Sequence, residues 1–395
     1  MNISKKAWII WCIASLFYAY QYILRVMPGI MIEDIMGQFG SDVALFGQFS
    51  GIYYIGYSLM HVPVGIMFDR FGPRRVMTFC ILLTVAGLIP LLFACSWTYP
   101  ILGRFLMGLG SSGAILGVFK IIRMTFSEKR FPRMLSLSVM IGLIGAIYGG
   151  GPVNYMREMF DYQTVIKMIA LSGVVLAAIT FWILPNSKKE ERGSIVSEIK
   201  EVITNWRVVS CCLFAGLMVG PLEGFADVWG TPFLKQVYGF NSTLAASLPS
   251  MIFIGMCFGS PLLNFIGERI GYLFTVIGAG VIMTLGFGLL LIGHLTPTLI
   301  SANFAIIGVC CAYQILAIYK ASTYVREGIA GLTTALANMI IMVFGYVFHT
   351  IMSAVISSYN ISFGVGVIPV GLILGSLGFA LLLKKEKLRF RRFWR

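Results

Sequence analysis

Twelve stretches, each about 20 residues long and almost free of charge, follow one another from end to end of this chain, and that repetition limits what it can fold into. Breaks in the apolar pattern give spans near 7–32, 43–68, 76–96, 101–123, 134–156, 164–184, 208–234, 244–267, 271–293, 296–320, 329–356 and 362–383. In hydrocarbon each backbone N–H and C=O must find its partner inside its own segment, so each stretch is predicted to be a helix. Of the 395 residues only 12% are charged and 58% are hydrophobic, against about 25% charged in an average soluble domain. The expectation is an all-α integral membrane protein with little chain left for a soluble domain. The first span follows Lys5 and Lys6 but is long for a signal-peptide core, so it is read as a retained helix.

A net charge of +14 would suggest nucleic acid in a soluble protein. Here the distribution decides otherwise. With the amino terminus inside, 23 of the 30 Lys and Arg fall on the cytoplasmic side, among them Arg70, Arg74, Arg75, Arg123, Lys129, Arg130, Arg133, Lys188, Lys189, Arg192, Arg269, Arg326 and the tail from Lys384 to Arg395. Only Arg157 and Lys235 fall outside. That asymmetry orients the protein with both termini cytoplasmic, in a bacterial inner membrane, and leaves no role for nucleic acid. The eight cysteines lie within apolar spans at no metal-ligand spacing, so neither a metal, a disulfide framework nor any other cofactor is expected.

The chain divides into a six-span half over 1–184, a charged linker over 185–207, and a second six-span half with a basic tail over 208–395. Ile195, Ile199 and Val202 in the linker recur at helical spacing, which suits a short amphipathic helix on the inner membrane surface. The halves repeat. A shift of 199 residues lays Tyr54-Ile55-Gly56 on Phe253-Ile254-Gly255 and Asp69-Arg70-Phe71-Gly72 on Glu268-Arg269-Ile270-Gly271; a shift of 200 lays Gly108 on Gly308 and Lys120 on Lys320. A duplicated six-helix unit accounts for this, and such repeats place a substrate site near the membrane midplane.

After the second span comes Gly65-Ile-Met-Phe-Asp69-Arg70-Phe-Gly72-Pro-Arg74-Arg75, which resembles the G-x-x-x-D-R-x-G-x-R-R signature of major facilitator transporters, with a degraded echo at Glu268-Arg269-Ile-Gly271. Arg104-Phe-Leu-Met-Gly108-Leu-Gly110 resembles the R-x-x-x-G-x-G pattern of the same superfamily. The resemblance implies the major facilitator fold: twelve transmembrane helices in two halves related by a pseudo-two-fold axis. It implies gating roles for Gly65, Asp69, Arg70, Gly72, Arg74, Arg104, Glu268 and Arg269. Asp69 can pair with cations in one state and release them in another, a bistable contact of the kind alternating access requires; Arg70, Arg74 and Arg75 also read simply as inside-positive anchors. Gly149-Gly150-Gly151-Pro152 lacks the further glycines that mark proton-driven drug antiporters. Tyr22-Ile-Leu-Arg25-Val26 is similar to the start of the anion-symporter branch, in which a tyrosine and an arginine meet a substrate's negative group; relatives that take up amino acids, dipeptides or organic acids share this general character.

Charges inside spans cost several kcal/mol unless paired or hydrated, so each is a candidate. Arg25 shares a helix face with Tyr18, Gln21 and Tyr22, and its guanidinium fork suits a carboxylate; the bland reading is a snorkelling arginine or a partner of Asp34. Tyr54 and Tyr57 lie on a second-span stripe with Ser50 and His61, where packing is the commoner role for any single aromatic. Lys120 and Lys320 read first as side chains reaching cytoplasmic water, with an inner gate as the alternative. Glu223 and Asp227, four apart on one face in a run rich in Gly and Pro, are the candidate proton carriers, against a structural pair neutralising Arg25 or Arg104. Gln314 and Asn338 are candidate polar partners from the second half.

No nucleotide-binding loop or nucleophile motif is present, so the chain is not expected to be an enzyme. The reading is a monomeric secondary transporter working by alternating access, with proton-coupled uptake of a small carboxylate-bearing solute. An efflux antiporter for drugs, siderophores or metabolites is the second reading, and a non-transporting receptor or scaffold of the same fold the third.

Overall fold

The structure, a computed structural model, describes residues 5–185 and 195–393. Lys188, Lys189 and Arg192 of the linker and Arg395 of the tail lie outside the described residues. Twelve helices are long and apolar enough to cross a membrane: α1 (Lys5–Ile30), α2 (Val43–Phe71), α3 (Pro73–Phe93), α4 (Thr98–Thr125), α5 (Arg133–Met159), α6 (Tyr162–Ile183), α7 (Trp206–Tyr238), α8 (Ser242–Ile270), α9 (Tyr272–Ile292), α10 (Pro297–Ser322), α11 (Ala330–Ser358) and α12 (Ile361–Glu386). No strand occurs among the described residues. These are the twelve spans expected from the hydropathy pattern, with ends that move by a few residues.

Local signals set the ends. Asp42 caps α2 by accepting from the Leu45 amide at 2.7 Å, and Asp161 caps α6 by accepting from the Thr164 amide at 2.9 Å and hydroxyl at 2.6 Å. The hydroxyl and amide of Thr164 hold the Asp161 carboxyl below the usual carboxylate range. The α2–α3 junction turns on Gly72 at φ 80, followed by Pro73 at the first position of α3; the α8–α9 junction turns on Gly271 at φ 96. A β-carbon is strained at either glycine, so the motif and its echo share a backbone requirement as well as letters.

The helices form two compact units, one of Met1–Arg192 with Ser242–Ser247 and one of Gly193–Asn241 with Leu248–Arg395. In the first, Gly56 of α2 lies against the Phe105 carbonyl and Gly108 of α4 against the Tyr53 carbonyl. In the second, Gly255 of α8 lies against the Ala305 carbonyl and Gly308 of α10 against the Ile252 carbonyl. The same backbone-to-backbone crossing is therefore built twice from glycines that the internal repeat had aligned.

Helix α7 is interrupted beside Gly220 and Pro221. Its α-helical winding stops at Gly216, residues 217–219 form a turn, and Gly220–Trp229 then winds as a π-helix that stays buried throughout. Pro221 cannot donate to the Leu217 carbonyl four residues back, so the α-helical ladder breaks at this turn and resumes in the π register. Gly216, Gly220 and Gly224 form a stripe of small residues along α7, on which Phe344, Phe348 and Met352 of α11 pack.

The linker helix, Ile195–Thr204, forms where the apolar spacing put it. Rather than turning all of its apolar side to lipid, it buries Val202 completely. Arg326, after α10, reaches Glu201 at 3.3 Å and Glu198 at 4.0 Å, and Asn205 donates to the Tyr324 carbonyl at 2.9 Å. Burial, and then a 2.6 Å hydrogen bond donated to Glu386, push the Tyr324 phenol up from its ordinary value.

Candidate functional site

In the first unit the α1 face expected to bind substrate is assembled around Arg25. The guanidinium lies over the ring of Tyr22 at 5.1 Å and over that of Tyr54 at 5.2 Å, so two aromatic faces bracket it. Tyr18 meets Tyr22 edge-to-face at 5.2 Å. Gln21 accepts from the Tyr53 hydroxyl at 2.7 Å, and Tyr53 stacks on Tyr57 at 6.3 Å. Tyr18, Gln21, Tyr22, Arg25, Tyr54 and Tyr57 are thus one connected cluster.

Beneath it sits Arg104 of α4, 1% exposed. Pro28 has no N–H to offer the carbonyl of Leu24, four residues earlier in α1. Arg104 supplies the missing donor, from Nη1 to the Leu24 oxygen at 2.5 Å, and from Nη2 to the Arg25 oxygen at 3.0 Å. Its guanidinium also lies over the Tyr53 ring at 4.6 Å. One buried cation thereby fixes the backbone that carries Arg25, a positioning role distinct from substrate contact.

The bland reading of Arg25 as the partner of Asp34 is not what the structure shows: Asp34 receives two hydrogen bonds from Arg157, the second from Nη2 at 3.0 Å. Lys120 also departs from the first reading. Its Nζ lies 3.0 Å from Oδ1 of Asp69, and both side chains are largely buried. Snorkelling yields to pairing because the carboxy-terminal end of α2 brings an acid within reach. The pseudo-equivalent Lys320 pairs with Glu386 at 3.2 Å, whereas Glu268, the counterpart of Asp69, accepts from Asn264 within its own helix at 2.9 Å. Arg70 lies over the Phe71 ring, Arg74 over Phe181 and Arg269 over Phe265. Nothing crowds the position of Gly65.

In the second unit Glu223 and Asp227 occupy the π segment, 0% and 2% exposed. Gln314 of α10 donates to both carboxylate oxygens of Glu223, at 3.1 and 3.2 Å. Asn338 lies half-buried on α11. Trp229, which ends the π segment, donates from its indole N–H to Nδ1 of His349 on α11 at 3.1 Å. Among the described residues no group of three His, Cys, Asp or Glu could hold a metal ion.

Comparison with known proteins agrees with this geometry. The family model for the Major Facilitator Superfamily matches residues 10–348. The chain belongs to the Major Facilitator Superfamily. Among curated relatives, NicT of Pseudomonas putida, a provisionally assigned metabolite transport protein, is 29% identical over 199 residues, 46% of this chain and 44% of that one. A quinolone resistance transporter of Acinetobacter baumannii is 28% identical over 181 residues, 44% of this chain and 41% of that one. The matched stretches thus span less than half the length of these relatives. Among solved structures, the nucleoside transporter NupG superposes with a TM-score of 0.78 at 15% identity, covering 94% of this chain and 99% of that one, a likeness of fold. As a member of the Major Facilitator Superfamily the chain is a multi-pass membrane transporter.

Three features of the Major Facilitator chain escaped sequence reasoning. Tyr53 joins the Tyr54–Tyr57 stripe to Gln21 of α1 and to Arg104 of α4, and only its place one turn before Tyr57 hinted at it. The donor requirement at Leu24 was readable from Pro28, but its source on α4 was not. His349 sits deep in an apolar helix with no local partner in sequence.

Proposed function

We propose that the protein is a secondary active transporter of the bacterial inner membrane that takes up a small carboxylate-bearing solute, an amino acid, dipeptide or organic acid, together with protons. The observation that carries this reading is Arg25, buried on α1, bracketed by Tyr22 and Tyr54, with its own carbonyl held by Arg104. A guanidinium stiffened in this way presents a planar fork of donors that a carboxylate matches with two parallel hydrogen bonds. The brace from Arg104 lowers the ordering cost of binding, since the donor geometry is set beforehand.

Glu223 and Asp227 are the coupling groups in this reading. Carboxylates fully withdrawn from water are kept in a membrane protein only for a reason, and Gln314 gives Glu223 a partner in either protonation state, through its amide N–H or its carbonyl. The Asp69–Lys120 pair is the conformation-dependent latch: it biases the transport cycle by the difference in its strength between states.

Uptake of labelled carboxylate solutes into proteoliposomes, with and without an inward proton gradient, tests the whole. The expected result is accumulation above equilibrium only with the gradient. Efflux is the second reading, favoured by the similarity to a quinolone resistance transporter; as an antiport it predicts that the same inward proton gradient drives preloaded solute out and that Arg25 is dispensable.

A further inference from the structure

We propose that His349 is a proton-binding site of the second unit, and that the Trp229 indole reads its protonation state. An indole N–H can only donate, so the 3.1 Å bond from Trp229 to Nδ1 of His349 requires a lone pair on Nδ1. With Nδ1 accepting, the ring proton of the neutral imidazole is on Nε2. Binding a second proton consumes the Nδ1 lone pair, and the imidazolium then presents N–H at both positions. Two donors face each other and the bond to Trp229 cannot exist. The step is a simple proton transfer: when the site opens to the acidic side the Trp229 bond is released, and a hydronium ion gives up one O–H proton to the Nδ1 lone pair and leaves as water.

The location gives this bond leverage. Trp229 is the last residue of the π segment, and α7 resumes α-helical winding at Gly230. A π stretch is the less common register and persists where its surroundings hold it. Phe348, beside His349 in sequence, packs on Gly220 and Gly224 of the same segment. Releasing Trp229 therefore unpins the end of the element that carries Glu223 and Asp227. Both side chains of the pair are buried, His349 at 0% and Trp229 at 1% exposure, so water does not stand in for the lost partner while the site stays closed.

Other ionisable groups on the elements packed against α11 are Arg207, Cys211 and Cys212 of α7, Tyr313, Tyr319 and Lys320 of α10, Lys384, Lys385 and Glu386 of α12, and Glu198, Lys200 and Glu201 of the linker helix. Lys320 is engaged by Glu386, and Tyr313 donates to the Ala215 carbonyl. Glu223 and Asp227 lie on the π segment whose glycines Phe348 packs against.

This inference rests on the transporter reading for its consequence, yet its measurement needs neither substrate nor gradient. Full-length protein in nanodiscs is titrated over about pH 4 to 8, the range in which histidines commonly change charge. The contribution of Trp229 is isolated by subtracting the emission of Trp229→Phe. The expected result is one titration step in this difference signal, lost in His349→Gln, whose side-chain carbonyl accepts the same N–H at every pH. A flat difference signal, or an unchanged step in His349→Gln, overturns the proposal. Should His349→Gln not fold, nitrogen NMR of the wild-type protein, which has three histidines, decides: the expected spectrum has one ring with an accepting Nδ1 that titrates in this range, and a ring that stays neutral throughout contradicts it.

Discussion

Arg104 donates to the carbonyl oxygen of Leu24 at 2.5 Å, the oxygen that Pro28 leaves without its in-helix donor. A buried acceptor left unserved costs about 1–3 kcal/mol, and the bond to Arg25 O adds a second acceptor served by the same fork. Arg104→Lys keeps the charge but cannot serve both oxygens at their fixed spacing. It is expected to lower substrate affinity about tenfold. In a Pro28→Ala background, where residue 28 regains an N–H for Leu24, the same change should cost less. The double-mutant cycle, read as thermal midpoint and affinity, should give a coupling of about 0.5–3 kcal/mol; additive effects would mean that Arg104 does not act through that carbonyl.

Arg25→Lys separates fork from charge. Losing one charge-assisted hydrogen bond corresponds to about 1.5–3 kcal/mol, or roughly a ten- to hundredfold weaker affinity. The check is equilibrium binding of the transported solute, with transporter stability followed in parallel. A lysine variant that binds as tightly as the wild type would reduce Arg25 to a point charge or a packing element.

Asp69→Asn is expected to leave insertion and substrate affinity close to wild type while changing cysteine accessibility at the two mouths of the transporter. Lys120→Gln should produce the same change, and the double variant should add little to either alone, since both singles break one 3.0 Å pair. Independent effects of the two substitutions would separate Lys120 from the latch.

Gly108→Ala and Gly308→Ala test the duplicated crossing. Each β-carbon would be driven into a facing backbone carbonyl, of Tyr53 and of Ile252. Overpacking of this kind costs about 1–3 kcal/mol, and the thermal midpoint should fall in both variants. A midpoint that stays put in either would show that the crossing there is looser than described.

Much of the fold was legible because its signals are local or periodic. Apolar spans, the Lys and Arg asymmetry, and glycines repeating at shifts of 199 and 200 need no knowledge of tertiary contact. The cluster of Tyr18, Gln21, Tyr22 and Arg25 was legible for the same reason, since all four lie on consecutive turns of one helix. Pairings between helices were not. Lys120 read as a snorkelling side chain because nothing in its own span reveals that the end of α2 lies beside it, and Lys320, read the same way, pairs with Glu386 far along the chain rather than with Glu268, the counterpart of Asp69. The π winding of Gly220–Trp229 was hidden as well, because Glu223 and Asp227, four apart, suit an ordinary α-helical face, and a stretch buried on every side has no solvent-facing period to report the register.

The proton-coupling assignment is tested most directly with Glu223→Gln and Asp227→Asn, which keep shape and hydrogen bonding but cannot titrate. Each variant is reconstituted in proteoliposomes and assayed in two modes: accumulation of labelled solute under an inward proton gradient, and exchange of labelled for unlabelled solute with no gradient. The account predicts that at least one of the two loses gradient-driven accumulation while retaining exchange. If both variants still concentrate solute under the gradient as the wild type does, the π-segment acids do not carry the coupling proton.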